Sequence, residues 1–164
     1  MGTAIVSILK RHLDPCFEML RRVMDRCPEE LWLEDGQGSP FWQQIYHVVF
    51  YVEHWLREDY AARQFRSVVF EKRVSPDLGR RSPDHLTKAE LKDYLARVRE
   101  KVDRIFAALD DDRLSAPIRP RSRNTYHDAI LGQIRHIQHH VGQCNAILRR
   151  SGARTAGWLG YGEG

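Results

Sequence analysis

The chain has 164 residues, enough for one domain with a substantial core, and that domain is expected to span residues 1–164. With 42% hydrophobic and 29% charged residues it reads as a soluble globular protein, and no apolar run approaches the ~20 residues of a transmembrane helix. The net charge of +4 can draw in small anions but is weak support for nucleic-acid binding, and the three widely spaced cysteines (Cys16, Cys27 and Cys144) suggest neither a disulfide scaffold nor a thiolate zinc site.

The first residues, MGTAIVSILKRHLD, place their charges after a short apolar stretch, the reverse of a secretory signal, and Gly2 alone makes no myristoylation site. A cytoplasmic protein without a membrane partner is expected. The first helix should run over about 3–27, with Ile5, Leu9, Cys16, Leu20, Val23 and Cys27 on one face. Pro15 removes a backbone donor within it and should kink or divide it. A loop containing Pro28 and GQGSP follows.

The second helix is expected over 40–60, with Ser39 as its cap and Pro40 in its first position. The run FWQQIYHVVFYVEHWLRE is apolar enough to bury more than one side, which suits a central place in a bundle. Residues 71–86, with Pro76, Gly79 and Pro83 among charges, read as a long exposed connection. The third helix starts at the capping box TKAE, Thr87 with Glu90, and continues to about 109–111 through Leu91, Leu95, Val98, Val102, Ile105 and Leu109.

Residues 113–124 form a loop rich in proline and arginine, whose RPRSR run (Arg119 to Arg123) is best explained as solvated. The fourth helix is expected over 125–149, capped by Asn124 or Thr125 and stopped by Gly152. Beyond it GWLGYGEG should be irregular, with Trp158 packing back onto the helices. The pattern predicts an all-α four-helix bundle. The long connections flanking the third helix imply that at least one crosses an end of the bundle.

Eight histidines are many for this length. Three of them, His136, His139 and His140, lie in the fourth helix, whose apolar face is set by Ile130, Ile134, Ile137, Val141, Cys144 and Leu148. At about 100° per residue, His140 falls at the edge of this face, with His136 beside it one turn back and His139 on the opposite, solvent side. The His136/His140 pair could share one ion, since imidazole nitrogens converge to about 2.0–2.1 Å from zinc. Ile137 follows His136, so there is no HExxH motif and no metalloprotease glutamate.

A third ligand has to come from another helix. His47 and His54 share one face of the second helix, roughly opposite the stripe of Ile45, Val49, Val52 and Leu56, and periodicity leaves the choice open. His12 reads as a core-edge residue, and His85, His127 and His139 as surface. Glu53 could support the site but reads first as a solvated carboxylate, and Cys144 belongs to the packed stripe. Arg123 or Arg135 could bind a carboxylate, though no motif assigns either.

PFWQQIYHVVFYVEHWL (40–56), IRHIQHHVGQCNAILR (134–149) and the closing GWLG resemble the DinB-like superfamily of metal-binding four-helix proteins, and the resemblance covers nearly the whole chain. It implies a bundle with long crossover connections and a divalent metal held by three histidines. Carried onto this chain, they are His47 in QIYHVV and the HxxxH pair His136 and His140. His54 matches no ligand position.

The resemblance also implies a homodimer and, in some members, chemistry on low-molecular-weight thiols. Three histidines leave coordination positions open, and zinc or nickel would be accommodated ahead of iron or copper. Such an ion could activate an external thiol for transfer to an electrophilic substrate, or water for hydrolysis of a small substrate. A non-enzymatic dimeric binding or stress-response protein stabilised by the ion is the third expectation. Nucleic acid is not expected, because the helices show no continuous basic face.

Overall fold

The computed structural model describes residues 4–34, 38–58, 60 and 73–163. Gly2 and the expected helix start at Thr3 lie outside the described residues, as do 35–37 and 71–72 of two expected connections. The described residues form six α-helices: α1 (Ala4–Arg26), α2 (Glu29–Trp32), α3 (Phe41–Trp55), α4 (Lys88–Ala107), α5 (Asp111–Ser115) and α6 (Tyr126–Arg150). The four long helices are those expected from the sequence. Short α2 and α5 fall where loops were expected.

Each long helix packs against two others: α1 against α6 and α4, and α3 against α6 and α4. The order around the bundle is therefore α1, α6, α3, α4. The chain steps across a diagonal from α1 to α3 and again from α4 to α6, whereas α3 and α4 are neighbours. Of the two long connections expected to matter, the one after α4 makes a diagonal crossing and the one before it does not.

Pro15 neither divides nor ends α1. The carbonyl its missing N–H leaves unmatched is that of Arg11, an exposed residue where water can serve it. The apolar face of α1 also starts one residue later than expected: Val6 is buried, while Ile5 is 46% exposed.

Ser39 does not cap α3. Pro40 holds the cap position, and the Ser39 hydroxyl instead donates to the Leu78 carbonyl at 2.6 Å. The helix ends at Trp55, short of the expected Tyr60. As its composition predicts, α3 is buried on more than one side: Ile45, Val49 and Val52 are inaccessible, and so are Tyr46 and Val48.

The Thr87–Glu90 capping box of α4 forms as read. Thr125 caps α6 in a second box with Asp128, a partner absent from the sequence reading. At the far end of α6, Gly152 adopts φ 76°, Gly152 N donates to Arg149 O at 3.2 Å, and Ala153 N donates to Leu148 O at 2.9 Å. This pair of bonds closes the helix, and it needs the left-handed residue that glycine supplies.

Asn145 then holds the tail at Ala156 with two hydrogen bonds, of 3.2 and 2.8 Å. Trp158 does not pack back as expected and is 77% exposed. Tyr161 rests against His12, which is exposed rather than at the core edge. No described helix is long and apolar enough to cross a membrane.

Candidate metal centre

The α3–α6 contact brings His47, His136 and His140 together. One ring nitrogen from each lies within 4.8 Å of the others, and this is the only such group of three metal-capable side chains among the described residues. His47 reaches it because α3 is buried on two sides. The Ile45/Val49/Val52 stripe fills the core, and a half-buried flank of the helix carrying Gln44, His47 and Tyr51 meets His136 and His140 of α6. His139 is exposed, as its helical phase requires.

His54 lies in the last turn of α3, stacked on Phe50 with ring centroids 6.4 Å apart and edge-on to Trp55, and is not in the cluster. Arg123 and Arg135 are exposed.

Each of the three rings is held by its Nδ1. His47 Nδ1 lies 2.8 Å from the Pro76 carbonyl, His140 Nδ1 is 2.9 Å from Gln44 Oε1, and His136 Nδ1 is 3.3 Å from Gln133 Oε1. Carbonyl oxygens only accept, so each Nδ1 carries the proton and each Nε2 keeps its lone pair. A metal-binding imidazole needs this tautomer, fixed from behind by an acceptor.

Burial works in the same direction. It pushes His140 down to about 3 and His136 down to about 4, with repulsion from the neighbouring imidazoles second, and it lowers His47 against the opposing pull of the Pro76 carbonyl and Asp77. All three rings are therefore neutral at pH 7.

The donor set fits a borderline divalent ion. Bonds of about 2.0–2.1 Å at tetrahedral angles put donor nitrogens roughly 3.3 Å apart, inside the 4.8 Å within which the three nitrogens lie. His140 is buried while His47 and His136 are half-buried, so the cluster sits at the edge of the core and is not sealed in it. The half-buried Tyr51 ring lies 4.7 Å from that of His47 and 6.1 Å from that of His136, forming an aromatic wall.

Cys144 is fully buried in the core, and burial raises its thiol pKa, so it is neither a ligand nor a nucleophile here. Cys16 and Cys27 are buried too, and Cys27 is pushed up to about 12.

Glu53 departs most from its sequence reading. It is only 1% exposed, accepts a 2.6 Å hydrogen bond from the Tyr94 hydroxyl, and pairs with Lys101 at 3.3 Å. It ties α3 to α4, away from the face that meets α6. Neither Gln44 nor the Pro76 carbonyl is signalled by any motif or periodicity. Gln133 could have been found, since it stands three residues before His136 on the same helix.

No curated protein and no solved structure gave a match. A family match does exist: the DinB superfamily, over residues 12–144, a span that contains all three histidines and stops before the tail. With most of the chain matched and the long helices arranged as a bundle, this protein belongs to the DinB superfamily.

Proposed function

We propose that this protein binds a divalent metal ion, zinc or nickel, through Nε2 of His47, His136 and His140, and acts as a transferase that activates a low-molecular-weight thiol. The observation that carries the metal assignment is the set of three Nδ1 contacts, to Pro76 O, Gln44 Oε1 and Gln133 Oε1, which leaves an Nε2 lone pair on each ring of a trio whose nitrogens come within 4.8 Å of one another. The ion would supply Lewis acidity, favouring the deprotonated form of a thiol placed in an open position.

The protein's own part is to keep the imidazoles neutral and oriented, and to shield one side of the site with the Tyr51 ring. The chain's cysteines are buried and held protonated, so the reacting sulfur comes from outside. The half-buried rings of His47 and His136 favour an accessible ion over a purely structural one.

The working unit we propose is a cytoplasmic homodimer. Three unpaired thiols suit a reducing compartment, and Ile5 and Ile8 on α1 and Leu131 on α6 offer exposed apolar surface.

Elemental analysis of protein purified without a chelating tag tests the first step, with one zinc or nickel per chain expected. Assays of the loaded protein with a panel of low-molecular-weight thiols and an electrophilic acceptor test the second. Turnover of a small ester or amide without thiol would replace transfer by hydrolysis. Full metal occupancy with no turnover of either kind would leave a binding or structural role. A monomer in sedimentation at every micromolar concentration would remove the dimer.

A further inference from the structure

Two of the three acceptors that orient the histidines belong to helices, Gln44 of α3 and Gln133 of α6. The third, the Pro76 carbonyl on His47, lies in the connection before α4, and something has to hold it there. Gln43 stands one turn before His47 on α3 and is only 2% exposed. Its carboxamide nitrogen lies 3.2 Å from Ser75 O, 3.0 Å from Asp77 O and 3.0 Å from Arg80 O. Two N–H groups are thus shared among three carbonyls that bracket Pro76.

The same stretch is closed internally. Arg80 N donates to Asp77 O at 3.1 Å, Gly79 N to Asp77 Oδ1 at 2.8 Å, and Ser75 N to Ser82 Oγ at 3.1 Å. Ser39 fastens it at Leu78 O. A buried amide whose donors are all spent on one turn, beside a carbonyl whose acceptor is spent on one imidazole, is a mechanical link between the two.

We propose that Gln43 is a positioning residue for the metal site: it folds residues 75–80 so that the Pro76 carbonyl fixes the tautomer and direction of His47. Metal binding and the order of this turn are therefore coupled. This rests on the reading of His47, His136 and His140 as metal ligands. The coupling is reciprocal by thermodynamic necessity, so an ion on His47 steadies the turn as much as the turn favours the ion.

The test uses the full chain with zinc, cobalt and trypsin. Gln43→Leu keeps the volume of the side chain and removes both donors. The variant is expected to bind zinc about 10–100-fold more weakly in competition with a chromogenic chelator. Its cobalt absorption band should shift as His47 loses its fixed orientation. Trypsin should cut after Arg80 and Arg81 faster than in the wild type. In the wild type, zinc should slow those two cuts, and in His47→Ala it should not.

Ser82→Ala loosens the same turn from a half-buried position and should act in the same direction, several-fold; it stands in if Gln43→Leu does not fold. Glu53→Gln, which perturbs α3 against α4 without touching the turn, should leave zinc affinity and both cuts unchanged. Wild-type zinc affinity in a Gln43→Leu protein whose turn is cut faster would overturn the proposal while leaving the metal site standing. A wild type that binds no zinc, and is cut alike with and without it, would overturn both.

Discussion

Gln44 Oε1 stands 2.9 Å from His140 Nδ1, so a side chain of α3 fixes the tautomer of a histidine on α6. The bond crosses the helix interface that also presents His47. With the carboxamide oxygen turned to the ring, the proton sits on Nδ1 and Nε2 is free. Gln44→Leu should therefore weaken zinc binding about 10–100-fold with little change in the helical circular dichroism. Unchanged affinity would show that the bond does not orient the ring.

Replacing any one of His47, His136 and His140 by alanine should cost more than that, because a ligand is lost and not just its support. The triple variant should retain no bound metal by elemental analysis, whereas His54→Ala and His139→Ala should retain it in full. Metal persisting in the triple variant would place the site elsewhere.

The histidines also predict how the metal-free protein responds to acid. Unfolded histidine titrates near 6.5, whereas His136 and His140 are pushed down to about 4 and about 3 in the fold. Below pH ~6.5 the unfolded chain binds protons that the folded chain refuses. Their contribution to stability is thus complete above pH ~6.5 and erodes as the pH falls from there through 4 toward 3. The melting temperature should drop between pH 7 and 5, before most carboxylates titrate, and His136→Ala/His140→Ala should flatten that drop. His136 and His140 should cost zinc affinity little over the same interval, because those two ligands are already neutral.

Glu53 is expected to act on stability and not on the ion. Glu53→Ala removes the acceptor of the Tyr94 hydroxyl and the partner of Lys101, at a cost of about 1–3 kcal/mol in urea unfolding. Metal stoichiometry should stay at the wild-type value. Loss of the ion in a folded Glu53→Ala protein would bring this carboxylate into the site.

Thiol accessibility gives an independent check on the cysteines. Burial raises the pKa of all three, so a disulfide reagent should titrate them slowly in native protein and at once in denaturant. Cys144→Ala should keep full metal occupancy. A fast-reacting native thiol would reopen the question of an internal nucleophile.

The four long helices were legible because their apolar positions recur every three to four residues and because TKAE is a local signal. The choice of His136 and His140 over His139 was legible for the same reason: phase around one helix is fixed by sequence alone. His47 was not legible from periodicity, since it sits half-buried outside the apolar stripe and is drawn to the site by its neighbours on α6. Glu53 was misread for a related reason: its burial depends on Tyr94 and Lys101, which α4 delivers from more than forty residues away. The Pro76 carbonyl was invisible because a backbone acceptor carries no residue signature, and Pro76 itself suggested only a loop.

The diagonal steps of the chain have a consequence for synthesis on the ribosome. His47 emerges early, but the two helices flanking α3 in the finished bundle, α4 and α6, both follow it, and the wall carrying His136 and His140 is made last. A nascent chain can thus offer a cation only scattered imidazoles until α6 has cleared the exit tunnel. For the proposed metal site, loading would then be a late, post-translational event that reports on completed folding.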